Sequence, residues 1–330
     1  MSAEKMWAYF IYLGTNISGK PNKHINFCME DEWEYRTSLY TDRGTWNRIT
    51  EALPKYGFNT LLIDMSEGVK LDSHPELAVP GSWEKADFIK ELDRIRSLGL
   101  TPLPKYNFSC MHNAWMQEYA NMGGTRRYNE VCADIIRETI EMFGSPEFFH
   151  LGMEEEKIEN QSHYPVMRER TWKKRTEDLL FLCDVCKEKG VRPWIWVDVQ
   201  SVDALGGPEK FQENVPKDVL ISNWWYSKIH YDGDAENPRT KMYRDVDSWG
   251  YEQVPTSSTY SYAQNSRQTM RYCKKYLKDE NLRGFMTAAW QFTLPQWENG
   301  LLYDAAMFGQ AKALIYQEQG GDGEDEKETE

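Results

Sequence analysis

Two hydrophobic periods alternate along this chain. Residues 7–13 (WAYFIYL) form a short, aromatic, almost wholly apolar run, as a strand buried on both faces does. Residues 44–56 follow with helical spacing. The couplet then repeats. Further strands are expected at 57–64, 100–107, 148–153, 192–198, 219–226, 253–260 and 283–290. Further helices are expected at 83–98, 126–143, 168–189, 207–214, 241–249, 262–278 and 301–317. Gly99 and Gly190 stand where two of these helices should stop.

Eight strand-then-helix units predict an α/β protein built as a single (β/α)8 TIM barrel. An open doubly wound sheet has the same alternation, but usually carries a glycine-rich phosphate loop after its first strand. Here that position reads Gly14-Thr15-Asn16-Ile17-Ser18-Gly19, which lacks the pattern and runs into a long loop. The barrel is therefore expected over residues 1–318, followed by an acidic, disordered tail at 319–330. Residues 320–330 hold six acids and one lysine, so −5 of the net charge of −13 lies there.

An acidic body argues against nucleic acid and anionic membranes as partners. No apolar run approaches the ~18 residues of a membrane span. No charged segment followed by an apolar one marks a signal peptide, so a cytoplasmic protein is expected. The six cysteines show no metal-like clustering, and Cys183-x-x-Cys186 falls inside an expected helix, where it reads as two thiols on one helix. No cofactor and no metal are expected. The sequence does not address oligomeric state.

The stretch that stands out is Phe148-Phe149-His150-Leu151-Gly152-Met153-Glu154-Glu155-Glu156. A barrel strand that ends in three consecutive carboxylates makes sense at the mouth of a site, where chemistry in such barrels collects. The other expected strand ends supply Asp64, Asn107 with His112 beyond it, Trp196, Asp198, Asn223, Trp225, Tyr260, Trp290 and Gln291. Indole and phenol faces suit the C–H patches of a sugar ring, and acids and amides suit its hydroxyls. A carbohydrate is therefore the expected partner. Two carboxylates flanking the bond are the usual minimum for glycoside hydrolysis. The expected seventh strand (VPTSSTYSY) carries no acid, which argues against a nucleophile there. Three options stay open. The substrate supplies its own nucleophile, as a 2-acetamido group can. Or the enzyme inverts, with Asp198 or Asp64 as base. Or the site binds without catalysis. A weaker alternative is a metal-dependent hydrolase using His150, Glu154 and Asp198.

His150-Leu151-Gly152-Met153-Glu154-Glu155 resembles the His-x-Gly-Gly-Asp-Glu motif of the family 20 glycoside hydrolases, the β-N-acetylhexosaminidases. Tyr56-Gly57-Phe58-Asn59-Thr60-Leu61, Trp194-Ile195-Trp196-Val197-Asp198, Asn223-Trp224-Trp225-Tyr226 and Thr287-Ala288-Ala289-Trp290 resemble that family's second, fifth, sixth and eighth strands. The chain looks closest to a bacterial, barrel-only branch. The resemblance implies that Glu155 is the general acid/base and that Glu154 orients the 2-acetamido group, to which Tyr260 donates. It implies that Trp196, Trp225 and Trp290 wall the sugar. A dry aromatic pocket and a neighbouring charge on Glu154 should keep Glu155 protonated. Glu154 stands where the family has Asp, Met153 where it has a second glycine, and Gln291 where it has an acid. The expected activity is exo-acting glycoside hydrolysis, hexosaminidase-like and retaining. The alternatives are a binding barrel or a glycosidase for sugars without an acetamido group. Loops at 16–42, 227–238 and 294–300 are candidates to close the site.

Overall fold

The computed structural model describes residues 4–15, 37–161, 166–229 and 237–317. The acidic tail, Cys28, His163 and most of the loops at 16–42 and 227–238 lie outside the described residues. Eight parallel strands form one sheet. In chain order they are β1 (Met6–Tyr12), β2 (Thr60–Asp64), β3 (Thr101–Lys105), β4 (Phe148–His150), β5 (Arg192–Trp196), β6 (Leu220–Ser222), β7 (Thr256–Ser257) and β8 (Gly284–Ala288). Neighbours in the chain are neighbours in the sheet, and β1 also pairs with β8, with Ala8 opposite Met286. The circle closes between β6 and β7 through the isolated bridges Ile221 to Gln253 and Trp224 to Thr256. The backbone bonds Val254 N–H to Ile221 O (2.8 Å) and Thr256 N–H to Asn223 O (2.9 Å) hold this seam. The expected eight-stranded barrel is what forms.

Strand parity divides the apolar residues. Ala8, Phe10 and Tyr12 of β1 join Leu62, Leu103, Phe148, Trp194, Trp196, Leu220 and Met286 in a cluster inside the barrel. Trp7, Tyr9 and Ile11 of the same strand face the helices, with Leu61, Ile63, Phe149, Ile195, Ile221 and Phe285. Asp64, Lys105 and His150 have the inward parity of Leu62, Leu103 and Phe148, so the last inward layer on that side is polar.

The helices between the strands are α1 (Arg43–Ala52), α2 (Lys85–Ser97), α3 (Arg126–Met142), α4 (Trp172–Glu188), α5 (Val199–Ala204), α6 (Pro208–Asn214), α7 (Pro238–Ser248), α8 (Asn265–Tyr276) and α9 (Glu298–Lys312). Side-chain oxygens of Asp42, Thr125, Thr171, Asp198 and Asn237 cap α1, α3, α4, α5 and α7. Among the described residues no helix is long and apolar enough to cross a membrane.

Three local expectations are corrected. The stretch from Trp83 does not begin as a helix, because Trp83 and Glu84 pair in parallel with Val69 and Lys70, and α2 starts at Lys85. The fourth strand ends at His150 rather than at 153, since Gly152 and Met153 take positive φ. The Asp198 cap also starts a helix, α5, that the hydrophobic spacing does not show.

The seam between β1 and β8 tolerates no side chain at Gly284, where a Cβ would lie 2.0 Å from the Met6 carbonyl oxygen. Gly284→Ala should therefore destabilise the barrel by at least ~3 kcal/mol, the upper end of ordinary overpacking costs. Thermal denaturation measures this, and an unchanged Tm would refute it.

Candidate active site

The site is built on the loop that follows β4. Gly152 turns it with φ +74, and a Cβ there would lie 2.2 Å from the Asn107 side-chain oxygen. Only glycine permits that approach. Asn107 then works as a hub just beyond β3. Its oxygen accepts from the backbone N–H groups of Met153 and Ser109, each at 3.2 Å, and its amide nitrogen donates to Glu154 Oε1 at 2.7 Å. Ser109 Oγ donates to the Glu154 carbonyl at 2.6 Å. Met153 and Glu155 both have positive φ, +77 and +56. The chain has left the strand, so alternation no longer governs where the three carboxylates point.

Each carboxylate meets a different environment. Glu156 turns into the protein. It pairs with Arg170, which also contacts Asp178 at 3.1 Å, and it accepts from the Cys110 N–H at 2.9 Å. Despite burial, the charges of Arg170 and Arg175 and these bonds hold its carboxyl at about 2. Arg175 donates to the carbonyls of Met153 and Glu156, so two buried guanidinium groups fix the loop from below. Glu154 is buried, with Oε1 on Asn107 and, among the described residues, no hydrogen-bond partner for Oε2. Burial pushes its carboxyl up, against the charges of His112 and Lys105. Glu155 keeps 37% of its side chain exposed at the rim, with Oε2 3.1 Å from His112 Nε2. The same nitrogen lies 3.8 Å from Glu154 Oε1, so one imidazole bridges both acids.

This reverses an expectation. Burial does push the Glu155 carboxyl up. The hydrogen bond from His112 and the charges of His112 and Arg239 outweigh it and hold the group below its ordinary value. Burial pushes the His112 ring down, but its two glutamate neighbours raise it above an ordinary histidine. In the free site the proton therefore rests on the His112 side of the pair.

The other sequence candidates fall into two sets. On the β2–β4 side, Asp64 is buried, takes Ser66 Oγ at 2.9 Å and pairs with Lys105 Nζ at 2.7 Å. His150 Nδ1 accepts from the Gly152 N–H at 3.0 Å, which leaves its proton on Nε2. Burial and the Lys105 charge push this ring well below an ordinary histidine, so it is neutral. On the β5–β8 side the last inward layer is aromatic. Trp196 lies 4.7 Å from the His150 ring, 5.7 Å from Trp224 and 5.9 Å from Trp290, and Tyr226 lies 6.1 Å from Trp290. Gln291 beside Trp290 is partly buried, and among the described residues its side-chain oxygen has no hydrogen-bond partner.

Four candidates stand less directly at the acids. Asp198 spends one oxygen on the α5 cap (Ser201 N–H, 2.8 Å) and the other on Arg239 (3.0 Å), so it is no free base. Asn223 donates to the Arg239 carbonyl at 3.3 Å. Trp225 packs on the outer core under the Arg239 guanidinium, with its N–H on the Lys228 carbonyl. Tyr260 is exposed, in a loop whose preceding residue, Thr259, bonds Asp304 through both its N–H and its hydroxyl. The metal alternative finds no geometry. Among the described residues no three His, Cys, Asp or Glu side chains are grouped to hold an ion.

Sequence reading missed Lys105, Arg239, Arg170 and Arg175. For Lys105 the signal was available: two positions after Leu103, it shares that residue's inward parity in an otherwise apolar strand.

No protein-family profile matches the chain, and no curated protein matches it in sequence. Solved structures do match. A chitobiase from Flavobacterium johnsoniae superposes with a TM-score of 0.63 at 13% identity, over 82% of this chain and 46% of its own. A β-N-acetylhexosaminidase from Bacteroides fragilis gives 0.60 at 12% identity, over 96% of this chain and 71% of its own. A GH138 enzyme targeting pectin rhamnogalacturonan II gives 0.57 at 12% identity, over 94% of this chain and 48% of its own. This chain thus spans less than half of the chitobiase. At such identities the likeness establishes the barrel fold, the one that the sequence resemblance implied.

Two substitutions test the loop. Glu156→Gln should cost up to about 3–5 kcal/mol, because it removes one of the two buried anions of Arg170 and leaves Asp178 alone to balance it. The wild-type pair gives a pH signature of known sign. The Glu156 carboxyl lies below its ordinary 4.5, so its contribution is complete above that pH. It should be lost as pH falls toward 2, by about 3 kcal/mol, an acid-limb loss that denaturation of Glu156→Gln should lack. Met153→Gly should relieve ~1–2 kcal/mol of left-handed strain and lose ~2–5 kcal/mol of buried packing. The net expectation is destabilisation in a urea melt; a stabilised variant would show that strain dominates.

Proposed function

We propose that the protein is an exo-acting glycoside hydrolase that cleaves β-N-acetylhexosaminides by a retaining, substrate-assisted route. The observation that carries this reading is the pair Glu154 and Glu155 bridged by the single His112 ring, one acid buried and one at the rim. The family resemblance in the sequence and the fold shared with a chitobiase and a hexosaminidase support it.

The environments divide the labour. A general acid/base must exchange protons with a departing alcohol and then with water, so it belongs at the rim, where Glu155 is. A carboxylate that orients an amide and balances a developing cation needs no solvent, which suits Glu154. Its unpartnered Oε2 accepts the acetamido N–H. The acetamido carbonyl oxygen then attacks the anomeric carbon as the bond from that carbon to the leaving oxygen breaks. The leaving oxygen takes from Glu155 the proton that His112 passes to it along their 3.1 Å hydrogen bond, which leaves Glu155 ionised and His112 neutral. The oxazolinium carries a positive charge that Glu154 balances. Water then attacks the same carbon, giving its proton to Glu155, and the sugar leaves with its configuration retained. Trp196, Trp224 and Trp290 supply the apolar wall. Asp64 and His150 shape the floor.

A second reading has its own support. Glu154 is a methylene longer than the aspartate of the resembled motif, Gln291 is not an acid, and Tyr260 is exposed. These features fit a glycosidase for sugars without an acetamido group, or a barrel that only binds. A panel of aryl glycosides separates the readings. Cleavage confined to β-GlcNAc and β-GalNAc supports the first, and cleavage confined to glucosides, galactosides or uronides the second. Calorimetric binding without turnover identifies a binding barrel.

Glu155→Gln should lower kcat by roughly 10²–10⁴-fold with an unchanged circular dichroism spectrum, and full activity in that variant sinks the assignment. The raised His112 places the basic limb of kcat/KM above the ordinary histidine value of 6.5. In His112→Gln the proton is left to the carboxyl alone, so that limb should move to lower pH.

A further inference from the structure

The loops that follow β6 and β7 are joined by one side chain that takes no part in the chemistry above. Asn265 opens α8 and is wholly buried. An asparagine at a helix start ordinarily serves as its cap. Here the carboxamide bonds to the two loops instead. Its oxygen accepts from the Ser258 N–H at 3.0 Å. Its nitrogen donates to the Trp225 carbonyl at 2.8 Å and to the Ser227 carbonyl at 3.1 Å. One amide thus spends both hydrogens on the two carbonyls that flank Tyr226. The Tyr226 carbonyl between them accepts from Ser261 Oγ at 2.9 Å. One turn further along α8, Gln268 Oε1 takes the Ile229 N–H at 2.8 Å. The barrel ladder does not reach this far. Its last bond on this seam is Thr256 N–H to Asn223 O, and among the described residues the carbonyls of 225–227 bond to side chains rather than to backbone.

We propose that Asn265 is a positioning residue of the reaction, a clamp between the loops after β6 and β7 that sets where Tyr226 stands in the wall meeting the sugar. The inference rests on the hydrolase reading above. Alternation carries past the end of β6, so Trp224 and Tyr226 face the cluster inside the barrel while Trp225 packs on the outer core. The Tyr226 ring lies 6.1 Å from Trp290, which packs on the same inner cluster. Holding the backbone on both sides of Tyr226 therefore holds one edge of the aromatic wall. A clamp made of neutral hydrogen bonds does this without adding a charge beside the ligand. The Ser258 bond extends the hold to the second loop, because Ser258 Oγ accepts the Tyr260 N–H at 3.0 Å. Asn107 fixes the loop of the two acids from the other half of the barrel, and it shares no partner with Asn265. Loss of the Asn265 clamp should weaken substrate binding and leave the acid–base step unchanged.

The test compares Asn265→Ala with Met270→Ala. Met270 is buried in the same helix and makes none of these bonds, so its truncation weakens α8 without opening the clamp. With nitrophenyl β-GlcNAc as the probe, KM should rise by roughly 3–10-fold in Asn265→Ala, the worth of one aromatic contact, with kcat near wild type. Met270→Ala should keep the wild-type KM. A second readout needs no substrate. In protein labelled with ¹³C in its tyrosine rings, the Tyr226 signal is identified by Tyr226→Phe. That signal should move in Asn265→Ala and stay in place in Met270→Ala. Ser261→Ala, at an exposed position, serves if Asn265→Ala does not fold. It removes only the bond to the Tyr226 carbonyl and should move the signal by less. An unmoved Tyr226 signal in the folded variant, or equal KM changes in Asn265→Ala and Met270→Ala, overturns the proposal and leaves Asn265 a packing residue. If wild type does not cleave the probe, the hydrolase reading fails by itself while the tyrosine signal still decides the clamp.

Discussion

Everything in the site depends on one steric constraint, the contact of the Asn107 side chain with a glycine that has no Cβ. That contact turns the chain out of β4 in the left-handed region. It hands two groups of the following residues, the Met153 N–H and the Glu154 carboxylate, to a single amide. Once the strand geometry is broken there, three consecutive glutamates need not alternate between two faces. One goes down to a pair of arginines, one stays buried above the floor of the site, and one reaches the rim. Identical side chains thus acquire three acidities, set by burial and by which cation each one meets.

The floor beneath that loop shows how such a barrel reconciles packing with chemistry. Its inner residues are apolar until the last layer. There β2, β3 and β4 present Asp64, Lys105 and His150, while β5 presents Trp196, with Trp224 and Trp290 just past the ends of β6 and β8. Charges buried this deeply are costly unless paired. The layer meets the requirement by pairing two of them and by holding the third group, the imidazole, neutral. The rings on the other side need no such arrangement, because aromatic surface is stabilised by burial and still offers a face to a ligand.

Much of this is legible in the sequence, for physical reasons that differ from one feature to the next. The barrel follows from period: a strand buried on both faces reads as an apolar run, and a helix packed on one face reads with a 3.6-residue stripe. Glu154 and Glu155 stand out because a strand has no packing use for acids at its end. Which of them is buried is not legible. It depends on φ at Met153 and Glu155, and nothing in the local residue types requires a left-handed methionine. Asp198 misled for a related reason. An acid at a strand end looks like a catalytic group, but here it is also the first residue before a helix, and the cap claims it. Lys105 was readable through its parity with Leu103, but its partner Asp64 lies 41 residues earlier and strand register brings the two together. Arg170 and Arg175 sit on or near α4, and only the folded chain brings them to the loop after β4 that they hold.

The division of that top layer also runs along the chain. Asp64, Lys105, Asn107, His112, His150, Glu154 and Glu155 all come from the first four strands and their loops. Trp196, Trp224, Tyr226, Trp290 and Gln291 all come from the last four. The polar and the aromatic sides of the site are thus contiguous in sequence as well as in space. On the reading proposed above, the first half carries the proton chemistry and the second the wall that meets the ligand, and Arg239 of the second half links them, since its charge reaches Glu155. A substitution in the aromatic wall then changes shape without changing charge, whereas one at Arg239 crosses from the wall to the acids.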